Sequence, residues 1–228
     1  MPGWLCCYNL GEVKPVYKNI LFDFDGTVFD TVEGITKSAQ YALKKQGIEE
    51  ELSQLRCFAG PPLVDKFMEV YGFDRERAEQ ATRDFKERYV PIGIHECRVF
   101  PGIKELLLAL RKLGARVGIA TSKPQVLAEQ LLAQEDMTGL FQVIRGSGSD
   151  GNNSAKWQVL KQAMEELGAG PEDTVLVGDT KYDVEGAKLC GVPCIGVAYG
   201  YAAPGELERA GAIAIAENMD ELLEILSR

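Results

Sequence analysis

The run ILFDFDGT, from Ile20 to Thr27, is the most informative feature of the chain. Apolar and β-prone residues predict a buried strand over Asn19 to Phe24, which Gly26 ends by allowing a tight turn or the close approach of a ligand. Asp23 and Asp25 therefore stand at the carboxyl end of a strand. In open α/β sheets ligands bind at that edge, and an exposed carboxylate there can attack phosphorus or hold a divalent cation. The pattern predicts an active site, although a solvated Asp-Gly turn would share part of it.

Length and composition set the class of protein. The chain has 228 residues, 46% of them hydrophobic, which is enough for the core of one ordinary domain with a substantial insertion. A formal net charge of -9 leaves no basic surplus to neutralise phosphates, so the composition disfavours binding to nucleic-acid polymers. An anionic substrate would need local help from a metal ion, a lysine and backbone amides.

Cysteine usage and apolar segments bear on the location of the protein. The cysteines lack the paired short spacings of a zinc site, so we expect reduced thiols. They are Cys6, Cys7, Cys57, Cys97, Cys190 and Cys194. No apolar stretch reaches the roughly 18 residues that cross a bilayer, and we expect a cytoplasmic protein with no membrane partner.

Short apolar segments alternate with amphipathic ones along most of the chain. The strand candidates after the first are 115–120, 141–145, 174–178 and 193–198. The helix candidates are 103–113, 125–133, 155–167 and 184–190. This alternation predicts a Rossmann-like α/β fold, in which a parallel sheet carries helices on both faces.

One interval breaks the alternation. Asp23 and Thr121 are 98 positions apart, about three times what a strand–helix–strand crossover needs. The interval reads as helices over 35–46, 63–71 and 75–89, with a rigid break at Gly60-Pro61-Pro62. We expect a cap that closes over a ligand, although a purely structural bundle would have the same spacing. The expected parts are a peripheral extension over 1–17, an α/β core over 18–33 and 99–228, and a helical cap over 34–98.

A second run has the same pattern as the first, an apolar strand followed by two acidic residues. Val175 to Gly178 predicts a buried strand, and Asp179 at its end is followed four residues later by Asp183. Two acidic strand ends suggest one metal site, and Mg²⁺ prefers oxygen ligands such as carboxylates, a carbonyl, water and phosphate. Asp183 would orient the residues that touch the metal. Alternatively, Asp179 caps the following helix and Asp183 suits its first turn.

Hydroxyl groups follow a third apolar strand, in the run Ala120 to Pro124. The run is expected to open a helix, so that the hydroxyls of Thr121 and Ser122 and the free amides can face a phosphate. Ordinary capping of that helix by either residue would need the same sequence.

With these motifs the chain resembles the haloacid dehalogenase-like hydrolase superfamily, and the likeness covers most of the sequence. The runs Asp23 to Thr27 and Gly178 to Asp183, together with Thr121, match three of the four motifs in order. Further runs resemble the phosphoglycolate phosphatase-like branch with a small helical cap. They are Thr121 to Pro124, Gly60 to Leu63 and Gly196 to Tyr201.

The fourth motif of the superfamily is a lysine. The resemblance implies that Lys156 fills this place and balances charge on the nucleophile and the phosphate. Trp157 follows it where many relatives carry proline, which leaves Lys161 as an alternative.

The resemblance implies Mg²⁺-dependent hydrolysis of a small phosphate monoester. Asp23 would attack phosphorus to form an aspartyl-phosphate, which water then cleaves. Asp25 would protonate the leaving alcohol and later deprotonate water, while its carbonyl faces Mg²⁺. The implied metal ligands are Asp23, Asp25 and Asp179, with Asp183 in support. The implied substrate-binding residues are Gly26, Thr27, Thr121, Ser122 and Lys156.

Two other activities stay open. A mutase of the same superfamily would keep Asp25, and a phosphorylation-dependent regulatory module would use Asp23 to store phosphate. The separate acid Asp25 favours an enzyme that turns over. Tyr199 and Tyr201 are expected to pack or shape a loop. The released alcohol could come from phosphoglycolate, a nucleotide or a sugar phosphate, because details of the cap decide it.

Overall fold

The structure is a computed structural model that describes residues 14–148 and 154–227, so residues 1–13 of the expected N-terminal extension lie outside it. The strands in the described residues are β1 (Asn19–Phe22), β2 (Phe29–Asp30), β3 (Arg98–Val99), β4 (Arg116–Pro124), β5 (Val143–Ser147), β6 (Thr174–Gly178), β7 (Cys194–Val197) and β8 (Ala214–Ala216). Six of them form a parallel sheet in the order β5-β4-β1-β6-β7-β8. The short strands β2 and β3 pair antiparallel.

Helices cover both faces of the parallel sheet. The helices in the described residues are α1 (Val32–Lys45), α2 (Leu63–Tyr71), α3 (Arg75–Tyr89), α4 (Ile103–Lys112), α5 (Gln125–Gln134), α6 (Lys156–Leu167), α7 (Lys181–Leu189), α8 (Glu206–Ala210) and α9 (Met219–Leu226). Helices α4 to α9 flank the sheet, whereas α1 and α2 pack against α3. Successive side chains of β1 point to opposite faces. Ile20 and Phe22 join the apolar cluster of α4, α5 and α9, whereas Leu21 joins that of α6, α7 and α8. The predicted Rossmann-like α/β fold is confirmed.

The central strands end at one level. Phe22, the last residue of β1, lies opposite Ile119 of β4 on one side and Val177 of β6 on the other. The backbone N–H of Asp23 donates to the carbonyl of Val177 at 2.8 Å. Residues that follow β1, β4 and β6 therefore meet at the same edge of the sheet.

Helices α1, α2 and α3 are inserted between β2 and β3. Helix α1 packs against α3, and the ring of Phe67 lies 4.7 Å from that of Phe58 and 6.1 Å from that of Phe73. These side chains belong to the same apolar cluster as Ile20 and Phe22 of the sheet. We propose that residues 34–98 are a cap on the α/β core.

Two element boundaries near the sheet edge differ from expectation. Strand β4 continues past its predicted end to Pro124, which lies opposite Ser147, so Thr121 and Ser122 lie on a strand; α5 begins at Gln125, as predicted. Helix α7 begins at residue 181 rather than 184, because Thr180 caps it. The C-terminal elements α8, β8 and α9 were not predicted from the sequence; α8 has only 5 residues and β8 only 3.

None of the helices in the described part of the chain combines the length and the apolar character needed to cross a bilayer.

Candidate active site

Three aspartates meet at the carboxyl edge of the sheet. Asp23 follows β1, Asp179 follows β6, and Asp183 lies in the first turn of α7. One carboxylate oxygen of each lies within 4.8 Å of the others. All three are buried, Asp23 with 5% of its surface exposed and the other two with 0%. The structure thus brings together the two acidic strand ends that the sequence placed far apart.

Asp179 is held in place by its neighbours. The Thr27 hydroxyl donates to its Oδ1 at 3.2 Å, and the backbone N–H of Tyr201 donates to its Oδ2 at 2.8 Å. Gly26 leaves the space for this carboxylate, since a Cβ there would lie 2.1 Å from Asp179 Oδ2. The N–H of Gly26 donates to the carbonyl of Phe29 at 2.8 Å. The Thr27 side chain and the Gly26 amide are thus engaged within the protein, and both residues position Asp179. Their contact with the substrate stays a prediction.

Asp183 has two separate sets of partners. Its Oδ2 accepts hydrogen bonds from the backbone N–H of Thr180 at 3.0 Å and from the Thr180 hydroxyl at 2.9 Å. Its Oδ1 lies 2.9 Å from the ammonium of Lys156. Asp183 therefore suits the first turn of α7, as the capping alternative had it, and also orients the lysine of the site. The cap of α7 is Thr180 and not Asp179.

Lys156 is the cation of the aspartate cluster. It is the first residue of α6, and its Nζ lies 2.6 Å from Asp23 Oδ1 and donates to the carbonyl of Ala120 at 3.1 Å. Gly186 of α7 leaves space for the Lys156 side chain, because a Cβ on Gly186 would lie 2.6 Å from the Cβ of Lys156. Lys161 is exposed one turn further along α6. The geometry therefore favours Lys156 over Lys161 as the fourth motif.

The aspartates carry more negative charge than Lys156 balances. Burial raises the pKa of Asp23 to about 6, although the ammonium of Lys156 opposes the change. Burial, and after it the charges of Asp183 and Asp23, raises the pKa of Asp179 well above its ordinary value. Burial disfavours the ammonium of Lys156, but Asp183 and Asp23 outweigh it and raise the lysine pKa. An all-oxygen donor set with unbalanced negative charge fits a hard divalent cation such as Mg²⁺.

Thr121 and Ser122 lie on β4, beside the aspartate cluster. Thr121 is buried and its hydroxyl oxygen accepts a hydrogen bond from the N–H of Lys123 at 3.2 Å, while Ser122 is half-buried. Neither residue caps α5, because Pro124 occupies the cap position and no side-chain bond closes it. Both hydroxyls therefore lie at the edge of the sheet where the resemblance expects the phosphate.

The carboxylate of Asp25 lies outside the aspartate cluster and pairs with Lys123. The Nζ of Lys123 is 3.0 Å from Asp25 Oδ1 and donates to the Tyr89 hydroxyl at 2.5 Å. Burial disfavours this ammonium, but Asp25 and Tyr89 raise the pKa of Lys123 above its ordinary value. No sequence pattern gave Lys123 a role of its own. The available signal was a cation directly after the two hydroxyls of β4.

Tyr199 and Tyr201 shape the loop after β7, as expected. The Tyr199 hydroxyl donates to the carbonyl of Thr27 at 3.1 Å, and the Tyr201 hydroxyl donates to Asp30 Oδ1 at 3.2 Å. The backbone N–H of Tyr201 reaches Asp179 in the same arrangement. The loop after β7 therefore connects Thr27, which follows β1, with Asp179, which follows β6.

Comparison with known proteins places this arrangement in a family. The model of a family described as haloacid dehalogenase-like hydrolase matches residues 20–197, which contain the aspartate cluster and its lysine. A 5'-nucleotidase of Pseudomonas aeruginosa is 43% identical over 84% of this chain and 87% of its own length. A tyrosine-protein kinase PtkA of Mycobacterium tuberculosis is 33% identical over 91% of this chain and 72% of its own length. A phosphoglycolate phosphatase of Cupriavidus necator is 31% identical over 91% and 92%.

A solved structure agrees with these relatives. The crystal structure of a predicted phosphatase from Clostridium acetobutylicum has a TM-score of 0.89 and 42% sequence identity, and the match covers 92% of this chain and 97% of that one. The resemblance inferred from the sequence motifs is confirmed. The chain belongs to the haloacid dehalogenase-like hydrolase family and is similar to its phosphoglycolate phosphatase-like members.

Proposed function

We propose that the protein is a phosphatase that hydrolyses a small phosphate monoester with Asp23 as its nucleophile. The observation that carries this proposal is the meeting of Asp23, Asp179 and Lys156 at one edge of the sheet, with Lys156 2.6 Å from one oxygen of Asp23. A carboxylate held by a buried lysine beside a candidate cation site supports this role, because attack on phosphorus needs a fixed nucleophile and balanced charge.

The aspartate cluster would hold Mg²⁺. Asp23 and Asp179 would contact the ion together with the backbone carbonyl of Asp25, and Asp183 would support them. When bound, the ion neutralises charge on the phosphate oxygens and holds the phosphate against the nucleophile. The oxygen donors and the excess negative charge of the cluster support this assignment.

The residues of the site would support two successive displacements at phosphorus, the first by Asp23 and the second by water. The carboxylate of Asp23 forms a bond to phosphorus while the bond to the leaving oxygen breaks, and Asp25 gives that oxygen a proton. Asp25 then takes a proton from the water that attacks the aspartyl-phosphate, which releases phosphate and restores Asp23. Lys156, with Thr121 and Ser122, balances the charge on the transferring oxygens.

The inserted helices would choose the leaving alcohol. A Cβ on Gly60 would lie 3.4 Å from Thr180 Cγ2, so the run Gly60 to Leu63 of the cap lies close to the edge of the sheet where the site is. Nucleoside monophosphates and phosphoglycolate are the first substrates to test, because the relatives named above act on such compounds by their names. Sugar phosphates are the third class.

A phosphate-release assay over these three classes tests the proposal, with Mg²⁺ and with a chelator in its place. We expect release from at least one class with Mg²⁺ only, and a loss of at least about 10³-fold in Asp23→Asn. Asp136→Asn is the matched control, because Asp136 is exposed and has a positive φ that asparagine also adopts. Folded protein that releases phosphate from no class would contradict the proposal. Transfer to a second alcohol without free phosphate would indicate a mutase and would also contradict it.

A further inference from the structure

A buried lysine outside the aspartate cluster lies against Asp25. Lys123 has 6% of its surface exposed, and its Nζ lies 3.0 and 3.4 Å from the two carboxylate oxygens of Asp25. The same nitrogen is 4.9 Å from the centre of the Tyr89 ring and 5.6 Å from that of Phe24. The ammonium thus lies between two aromatic rings and a carboxylate, an environment that favours the charged form.

Tyr89 brings the inserted helices into this arrangement. It is the last residue of α3, its hydroxyl accepts a hydrogen bond from Lys123 Nζ at 2.5 Å, and its ring lies 5.1 Å from that of Phe85 in the same helix. The lysine stem has many rotamers, so a second partner on the ammonium restricts where the charge can lie. Tyr89 supplies that partner from the cap.

We infer that Lys123 and Tyr89 are positioning residues that hold the Asp25 carboxyl at the leaving oxygen. The inference rests on the proposed function, in which Asp25 gives a proton to the leaving alcohol and later takes one from water. The ammonium faces the carboxylate form of Asp25, which is the form left by the first transfer and required by the second. The half-buried Asp25 side chain has Lys123 as its ion-pair partner. Without it the carboxyl would rotate away from the reacting oxygen.

Two substrates distinguish a role of Lys123 and Tyr89 in positioning Asp25 from a purely structural role of these two residues. An alkyl phosphate releases an alcohol that needs a proton, whereas 4-nitrophenyl phosphate releases a phenolate that does not. The ratio kcat/KM reports the steps up to departure of the leaving group, so it depends on the proton from Asp25 only for the alkyl ester. In contrast, kcat on the aryl ester includes attack by water, which still needs Asp25.

We expect Lys123→Met to lower kcat/KM for the alkyl ester by about 10²-fold and for the aryl ester by less than about threefold. For the aryl ester, kcat and KM should fall together. Tyr89→Phe removes only one oxygen atom and should show the same selectivity at about three- to tenfold. Lys123→Met added to Asp25→Asn should cause no further loss, because the two residues act as a unit.

Two substitutions serve as matched controls. Lys161→Met removes an exposed lysine from α6, and Tyr41→Phe removes a cap hydroxyl that contacts Glu87 at 2.9 Å. Both should leave the two ratios unchanged. Equal losses on the two esters in Lys123→Met and Tyr89→Phe, or no loss in either variant, would overturn the inference. Wild-type protein that hydrolyses neither these esters nor any substrate of the phosphate-release assay would instead overturn the proposed function and the inference with it.

Discussion

The side chain of Asp179 occupies space that two glycines leave open. A Cβ on Gly26 would lie 2.1 Å from Asp179 Oδ2, and one on Gly200 would lie 2.2 Å from Asp179 Cβ. Gly26 also has a φ of +83°, in the left-handed region that other residues rarely adopt. The carboxylate can therefore approach the end of β1 closely enough to share a cation with Asp23.

We predict that Gly26→Ala separates the two carboxylates. The new methyl group would displace Asp179, so the activity with Mg²⁺ should fall by at least about 10²-fold and the free energy of unfolding by about 1–3 kcal/mol. Activity over a Mg²⁺ titration and urea denaturation measure the two effects. Gly139→Ala is the control, because nothing lies within 4 Å of a Cβ there. Equal behaviour of the two variants would contradict this reading of Gly26.

We predict that stabilisation by Mg²⁺ increases with pH. Burial raises the pKa of Asp23 to about 6, so the folded protein without metal retains a proton there that the unfolded chain releases at lower pH. Protonated Asp23 therefore contributes to the free energy of unfolding at low pH, and this contribution is lost as the pH rises through about 6. A bound cation replaces the proton, so the rise in Tm on adding Mg²⁺ should be larger at pH about 7.5 than at pH about 5. Thermal unfolding measures it, and a rise that is equal or larger at the lower pH would contradict the prediction.

The acids of the site could be predicted from the sequence and Lys156 from the family resemblance, whereas the contacts of Tyr89 and Tyr201 could not. Asp23 and Asp179 each follow an apolar strand, and the carboxyl ends of parallel strands meet at one edge. Tyr89 reaches Lys123 from an inserted helix, through packing that no local pattern records. Tyr201 holds Asp179 through a backbone N–H, a group that nearly every residue has.

Helices α2 and α3 begin and end where the sequence predicts, because local signals mark their ends. Gly72 has a φ of +64° and ends α2, and the Asp74 side chain accepts a hydrogen bond from the N–H of Arg77 at 2.8 Å at the start of α3. Strand β4 continues past its predicted end to Pro124, because it pairs there with Ser147. A partner 23 residues away decides that boundary, and the local sequence contains no sign of it.

We predict that Asp74→Ala destabilises the protein without impairing its chemistry. Loss of the cap of α3 should lower the free energy of unfolding by about 1 kcal/mol. The kcat on a good substrate should stay within about twofold, because Tyr89 lies at the other end of the helix. Urea denaturation and steady-state kinetics measure the two quantities. Asp65→Ala, at an exposed position in α2, is the control and should change stability by less than about 0.5 kcal/mol.

Across the whole molecule, the sheet brings the acids of the site together, and the inserted helices reach the same edge through Tyr89. Register fixes Asp23 between the ends of β4 and β6, and Tyr89 reaches the core from the inserted helices. Asp23, Asp179 and Lys156 are all buried, so little free water surrounds Asp23, the proposed nucleophile. An aspartyl-phosphate formed there would depend on Asp25 to activate the water that cleaves it.

That dependence makes the phosphorylated protein directly observable. The Asp25→Asn variant is mixed with an aryl phosphate that carries a labelled phosphate group. The mixture is then quenched in acid and digested, and mass spectrometry identifies the residue that carries the label. We expect the label to accumulate on Asp23, because an aryl group leaves without a proton while the attacking water lacks its base. We expect Asp23→Asn to acquire no label. Label on another residue would contradict the role of Asp23 as nucleophile. Turnover by the wild-type protein with no phosphorylated form in the wild-type protein or in Asp25→Asn would contradict it as well.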